Sequence, residues 1–148
     1  MNKEFVMRGQ TASGETEVLN FSGHKPGYAY RLVEFVLYPS TGIGSTSQEM
    51  CGTVTAGKTA IAPTDPNFNN EGLIGVSTHN RSTSPQDGPF MDSIVNDTFL
   101  ITQNLILMVQ NTGSGSNPIN WQCRFVGEKM SKSEEAVNNY KQYTISDE

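Results

Sequence analysis

The amino-acid sequence predicts an all-β fold, an antiparallel β-sandwich of about eight strands followed by one short C-terminal helix. Apolar residues recur at close to every second position in several short segments, which is the period of a β-strand. Loops rich in Gly, Pro, Asn and Ser separate these segments, as in the turns of an antiparallel sheet. The chain has 148 residues, so a single domain can account for residues 1–148. Eight strands would suit a jelly roll, although this pattern does not define the strand order.

The clearest strand prediction covers residues 28–38. With a period of two, one face of this segment carries Tyr28, Tyr30, Leu32, Val36 and Tyr38, and the other carries Ala29, Val33, Phe35 and Leu37. Because both faces are apolar, we expect a strand that is covered on both sides. Tyrosines on one face are typical of a core or a subunit interface, and they could also form a platform for stacking a sugar.

Two further segments are strongly apolar. Residues 98–110 are apolar on both faces and predict either one long strand or two strands joined around residues 103–104. Residues 119–130 alternate apolar and polar side chains and predict a half-buried strand of an antiparallel sheet. Weaker strand patterns cover residues 4–8, 17–22, 49–55 and 73–78.

The C-terminal segment predicts a helix. Ser131 and Glu134 have the spacing of a capping box, and Ala136, Val137 and Tyr140 then form one apolar stripe. A short helix with one apolar side is marginal alone and must dock on another surface. We therefore expect residues 1–10 and 131–148 to act as interaction arms, with these interface candidates: Phe5, Met7, Val137, Tyr140, Tyr143 and Ile145.

The charge composition argues against two classes of partner. The chain has 10 basic and 15 acidic residues, a formal net charge of −5, and no cluster of Lys or Arg. Binding to nucleic acid or to an anionic membrane needs such a basic surface, so neither partner is expected. The N-terminus lacks the apolar stretch of a signal peptide, and no apolar run approaches the ~20 residues of a membrane-spanning helix. We expect synthesis in the cytoplasm without a targeting signal.

One segment matches the phosphate-binding loop pattern GxxxxGK[ST], from Gly52 to Thr59. That loop needs a helix to begin at its lysine, because the helix N-terminus aims backbone N–H groups at the phosphates. Pro63 and Pro66 follow too closely for such a helix. We therefore predict no nucleotide site and no cofactor.

The remaining polar motifs are weak. Residues 65–71 place oxygen-bearing side chains at alternate positions, as in a calcium loop, but Asn70 replaces the glycine and Val76 the bidentate glutamate. We therefore interpret them as a polar loop with Asx turns and predict no metal ligand. His24 and His79 have no second ligand at metal spacing, and we expect them at the surface.

No catalytic residue is predicted. Asp87, Asp92 and Asp97 lie around residues 90–91, but no fixed spacing identifies a glycosidase from sequence. Cys51 and Cys123 are expected to be buried as small hydrophobes, and two cysteines allow one disulfide or none. Trp121 is most simply a core residue. A small enzyme would need carboxylates converging with a histidine in a deep pocket.

Three stretches resemble a known group of proteins: residues 101–105 (ITQNL), residues 117–121 (NPINW), and residues 130–137 with their Ser-x-x-Glu-Glu-Ala pattern. This part of the chain resembles the C-terminal pattern of small virion proteins predicted from environmental, mainly marine, tailed phages. The resemblance covers about a third of the chain and carries over no catalytic residue.

The resemblance implies a non-enzymatic capsid decoration (cement) or small shell protein, located in the virion and made in the host cytoplasm. Its expected partners are the major capsid protein or other virion proteins, together with further copies of itself in a homo-oligomer. The alternative function is a carbohydrate- or receptor-binding β-sandwich module.

Overall fold

The computed structural model describes residues 3–21, 28–41, 46–57, 59–81, 90–113 and 116–129. These residues form eight strands in two antiparallel sheets, which confirms the predicted all-β sandwich. The strands are β1 (Lys3–Thr11), β2 (Thr16–Leu19), β3 (Tyr28–Pro39), β4 (Gln48–Ala56), β5 (Leu73–Arg81), β6 (Phe90–Val95), β7 (Leu105–Asn111) and β8 (Ile119–Lys129). The helix predicted after residue 130 lies outside the described residues.

The strand order follows a jelly roll with one departure. The smaller sheet has the order β1-β8-β3 and the larger one β2-β7-β4-β5-β6. A jelly roll is a long antiparallel hairpin that rolls up, so the pairs β1·β8, β2·β7 and β4·β5 are nested here as in that fold. β6 instead extends the larger sheet beside β5. It still contacts β3, where the Ser93 hydroxyl donates a hydrogen bond of 2.6 Å to the Phe35 carbonyl.

The core lies between the two sheets and is built from alternate residues of their inner faces. Two glycines allow a close approach there. A Cβ on Gly52 would lie 3.0 Å from the ring of Phe35, and a Cβ on Gly75 would lie 2.9 Å from Leu32. Large side chains of β3 therefore pack over positions in β4 and β5 that carry no side chain. The buried apolar cluster comprises Leu19, Phe21, Leu32, Phe35, Leu37, Met50, Val54, Ala56, Ile74, Ile101, Leu105, Leu107, Val109, Ile119, Trp121, Cys123 and Phe125.

A β-bulge in β3 overturns the predicted tyrosine face. The register against β8 shifts between Leu32 and Glu34, so Val33 is the extra residue. An extra residue reverses the alternation that follows it. Tyr30 therefore packs against the core with Leu32, whereas Tyr38 is 49% exposed on the outer face.

The strand count of eight was right, but one predicted element was wrong. Residues 98–110 form neither one long strand nor two, because β7 begins at Leu105. Ahead of it, Ile101 makes only an isolated bridge to Tyr30, with backbone bonds of 3.0 and 2.7 Å. The eighth strand is β6, which had not been predicted. Its residues are exposed or half-buried throughout, and its sequence FMDSIV has no period of two.

Candidate functional site

A broad recess lies on the outer face of the smaller sheet. Residues that pair across β1, β8 and β3 line it in two rows, one of Gln10, Asn120 and Tyr38 and one of Arg8, Gln122 and Val36. We call this recess the outer groove. Its volume is about 630 Å³, and Gly9 and Trp121 complete its lining.

Hydrogen bonds orient part of the polar lining of the outer groove. The Gln10 amide donates to Asn120 Oδ1 at 3.0 Å, and Asn120 Nδ2 donates to the Pro39 carbonyl at 3.3 Å. The side chains of Arg8 and Gln122 make no hydrogen bond or ion pair with any of the described residues. The groove thus offers donors and acceptors that none of the described residues uses.

Tyr38 is held from the side of β5. The Arg81 guanidinium lies over its ring, 5.9 Å from the centroid, and the His79 ring meets it edge-on at 5.6 Å. A cation over a ring face and a T-shaped ring pair are both favourable arrangements. These contacts position the exposed phenol ring at the rim of the outer groove.

Trp121 packs closely against a glycine on the neighbouring strand. Gly9 pairs with Trp121, and a Cβ on Gly9 would lie 3.1 Å from the indole ring. The indole N–H donates to Thr11 Oγ1 at 2.9 Å, which satisfies this donor. Trp121 is only 8% exposed, so its prediction as a core residue is confirmed.

Arg8 is the charged residue that lines the groove, and it differs from the other arginines of the same face. Arg124 lies 3.3 Å from Glu4 and 3.9 Å from Glu34. Arg31 forms an ion pair with Glu128. Acidic side chains therefore balance the charges elsewhere on this sheet face, and Arg8 stands in the groove without one among the described residues.

His79 is buried, so its prediction as a surface residue was wrong. Its side chain lies on the inner face of β5, and its Nδ1 is 3.1 Å from the Leu37 carbonyl oxygen. Because a carbonyl only accepts, we assign the proton of the neutral ring to Nδ1, which leaves Nε2 buried without a partner. Desolvation lowers the pKa of His79, the bond to Leu37 opposes this effect, and the nearby charge of Arg81 adds to it.

The segment that matches a phosphate-binding loop is built differently from such a loop. Gly52 and the four residues after it belong to β4, where the backbone pairs with β5 and β7. Their N–H groups are therefore not gathered around a phosphate. The segment around Ile61 packs on the outer face of the larger sheet, where the Thr53 hydroxyl of β4 donates to the Ile61 carbonyl at 2.6 Å.

The calcium-like segment forms turns. The Asn67 side-chain oxygen accepts the N–H of Asn69 at 2.9 Å, and that of Asn70 accepts the N–H of Gly72 at 3.0 Å. These are the Asx turns expected from the sequence. Among the described residues there is no group of three or more His, Cys, Asp or Glu side chains that could hold a metal ion.

The other predicted residues are dispersed. Asp92 is exposed on β6 and Asp97 lies in the turn after it, while His24 and Asp87 lie outside the described residues. Both cysteines are free: Cys123 is fully buried in the core and Cys51 is half-buried on β4. Burial raises the pKa of both thiols.

The predicted interface residues are divided between the core and the C-terminal segment. Phe5 and Met7 belong to β1 and pack against the core, where Phe5 stacks on Phe125 with ring centroids 5.3 Å apart. Contact with another chain at these two positions stays a prediction. Four candidates lie outside the described residues: Val137, Tyr140, Tyr143 and Ile145.

A second surface feature was not found from the sequence. Large apolar side chains are exposed at the β6 edge of the larger sheet: Phe68 by 64%, Phe90 by 63% and Ile94 by 54%. We call these three residues the edge patch. Phe68 and Ile94 flank a hollow of about 210 Å³ whose floor includes Val76. Exposed aromatic and aliphatic residues at the edge of a sheet are a signal of association.

No protein-family model and no curated protein matches this chain. In the part of the chain that the structure describes, no helix is long and apolar enough to span a membrane.

Proposed function

We propose that this chain is a non-enzymatic structural subunit of a virion, a capsid decoration (cement) or small shell protein that stabilises the particle through subunit contacts. The edge patch is the observation that carries the proposal. The strand order supports it more weakly, because jelly rolls build many viral shells but also lectin and cupin domains.

The edge patch has the physical properties of an assembly surface. β6 ends the larger sheet, so one side of its backbone has no neighbouring strand among those described. Full burial of a Phe or Ile side chain contributes about 1.5–3 kcal/mol, and the patch holds three such side chains, each more than half exposed. Asp92 lies between Phe90 and Ile94 along the strand and disfavours indiscriminate pairing of this edge.

The proposed partners are further copies of this chain and the neighbouring capsid proteins. A single contact of this size is modest, but a shell repeats it over many subunits, and simultaneous contacts multiply the overall affinity. The virion location is also proposed, on the sequence resemblance and the assembly surface together.

Mass spectrometry of particles purified by density gradient tests the proposal most directly. We expect this chain at a fixed copy number per particle, comparable to that of other shell components. Its absence from purified particles, or a trace amount that varies between preparations, would refute the virion assignment.

Assembly in solution tests the edge patch separately. We expect the wild-type chain to form oligomers by size-exclusion chromatography with light scattering, and Phe90→Lys or Ile94→Lys to shift it to monomer. Val18→Lys is the matched control, because Val18 is 63% exposed at the opposite edge of the same sheet. A monomeric wild type, or oligomers that survive both patch substitutions, would refute the role of this surface.

A further inference from the structure

We propose that the outer groove binds an acidic saccharide, a sugar that presents neighbouring hydroxyls and one carboxylate. The proposal goes beyond a structural role and concerns the face of the smaller sheet, away from the edge patch. It rests on the kinds of polar atoms in the groove, on one guanidinium that has no ion-pair partner in the described part of the chain, and on a fixed aromatic ring.

The polar lining matches the chemistry of sugar hydroxyls. Side-chain amides carry a donor and an acceptor on one rigid plane, and each hydroxyl of a sugar both donates and accepts. Gln122 has both functions unused among the described residues, and Gln10 keeps its Oε1 as an acceptor after donating to Asn120. Two adjacent hydroxyls can bond to one such amide as a pair.

Arg8 defines the acidic part of the ligand. Its guanidinium has no carboxylate partner among the described residues, although other arginines of this face have one. A guanidinium fork pairs with a carboxylate through two parallel hydrogen bonds. Since Arg8 pairs with Gln122 across β1 and β8, a carboxylate bound there would lie beside the amide that serves the hydroxyls.

Polyanions fit the groove less well than a sugar with a single charge. A phosphodiester accepts hydrogen bonds only, so it would offer no donor to the side-chain oxygens of Gln10 and Gln122. One arginine in a chain of net charge −5 does not supply the cluster of cations that nucleic acid requires.

Tyr38 supplies an apolar surface for the C–H face of a sugar ring. The side chain is 49% exposed, lines the groove, and is held by Arg81 and His79. Because these contacts restrict the ring before any ligand arrives, less conformational entropy is lost on binding. The groove volume, about 630 Å³, lies within the roughly 300–1,000 Å³ of small-molecule sites.

Glycan-array binding by the wild-type chain of residues 1–148, on an array with neutral and uronic-acid oligosaccharides, tests the proposal. We expect binding to uronic-acid glycans, and at least a tenfold weaker signal for Tyr38→Ala and for Gln122→Ala. Tyr28→Ala and Gln110→Ala are the matched controls. Tyr28 lies at the other end of β3, Gln110 is half-buried on β7 of the other sheet, and both controls should bind as the wild type does.

The same array tests the part assigned to Arg8. Arg8→Gln should remove the preference for uronic-acid glycans over their neutral counterparts. Wild-type chain that binds no glycan, that binds only neutral glycans, or whose binding survives both groove substitutions would overturn the proposal. A chain found in virions that binds no glycan would overturn this inference alone and leave the structural role intact.

Discussion

Replacement of Asn111 by alanine is expected to destabilise the fold by about 3 kcal/mol. This side chain is 2% exposed at the end of β7, and it bonds to the start of β4 and to the connection between β7 and β8. Its Nδ2 donates to Gln48 Oε1 at 2.7 Å, and its Oδ1 accepts the N–H groups of Glu49 at 3.2 Å and Gly113 at 3.0 Å. A net contribution of about 1 kcal/mol for each of these three bonds gives the expected loss.

Asn111→Ala also removes the hydrogen-bond donor of a buried partner, Gln48. Gln48 is 1% exposed and its amide nitrogen already donates to the Thr41 carbonyl at 3.1 Å, so its Oε1 would remain buried without a donor. An unsatisfied buried acceptor costs about 1–3 kcal/mol, which agrees with the loss estimated from the bonds.

Urea denaturation followed by the fluorescence of the one tryptophan measures this effect. The unfolding free energy of Asn111→Ala should fall by about 3 kcal/mol, whereas Asn80→Ala should stay within about 0.5 kcal/mol of the wild type. Asn80 is the matched control because it is exposed on β5. A loss below about 1 kcal/mol for Asn111→Ala would refute the reasoning, because the three side-chain bonds together would then contribute no more than a single hydrogen bond does.

Three further predictions concern buried polar groups. The pKa of His79 is lowered from 6.5 in the folded chain, so the unfolded chain binds the proton first as the pH falls. The unfolding free energy of the wild type should therefore be highest above pH 6.5 and fall as the pH drops toward the folded pKa. In urea titrations between pH 7.5 and 5.5, His79→Gln should reduce this loss of stability. Burial raises the pKa of both thiols, so a disulfide reagent at pH 8 should modify Cys51 slowly and Cys123 only after unfolding. Thr11→Val should cost about 1–3 kcal/mol in urea denaturation, because the Trp121 N–H loses its acceptor.

Each of these predictions has a control and a contradicting result. His24→Gln should keep the acid sensitivity, and an unchanged pH dependence in His79→Gln would refute the assignment of His79. Cys51→Ser should abolish labelling of the folded chain, and rapid labelling of that variant would contradict the burial of Cys123. Thr16→Val alters an exposed threonine on β2 and should leave the unfolding free energy unchanged. If Thr11→Val also left it unchanged, the bond from the indole N–H to Thr11 would not contribute to stability.

The amino-acid sequence by itself determined where most strands lie. Residues 28–38 and 119–130 were predicted as strands because their apolar residues recur with a period of two and turn-forming residues flank them, and both signals are local. The weaker predictions also fell on strands, with boundaries that shifted by a few residues, because strand ends depend on the partner strand.

The tertiary structure alone decided the features that depend on pairing between distant segments. β6 has no apolar alternation and is a strand because β5 pairs with it, and the bulge at Val33 is defined by the register against β8. His79 and Asn111 look like polar surface residues in sequence, yet both are buried because their strands turn them inward. The outer groove combines three strands that are far apart along the chain, so no local pattern could have revealed it.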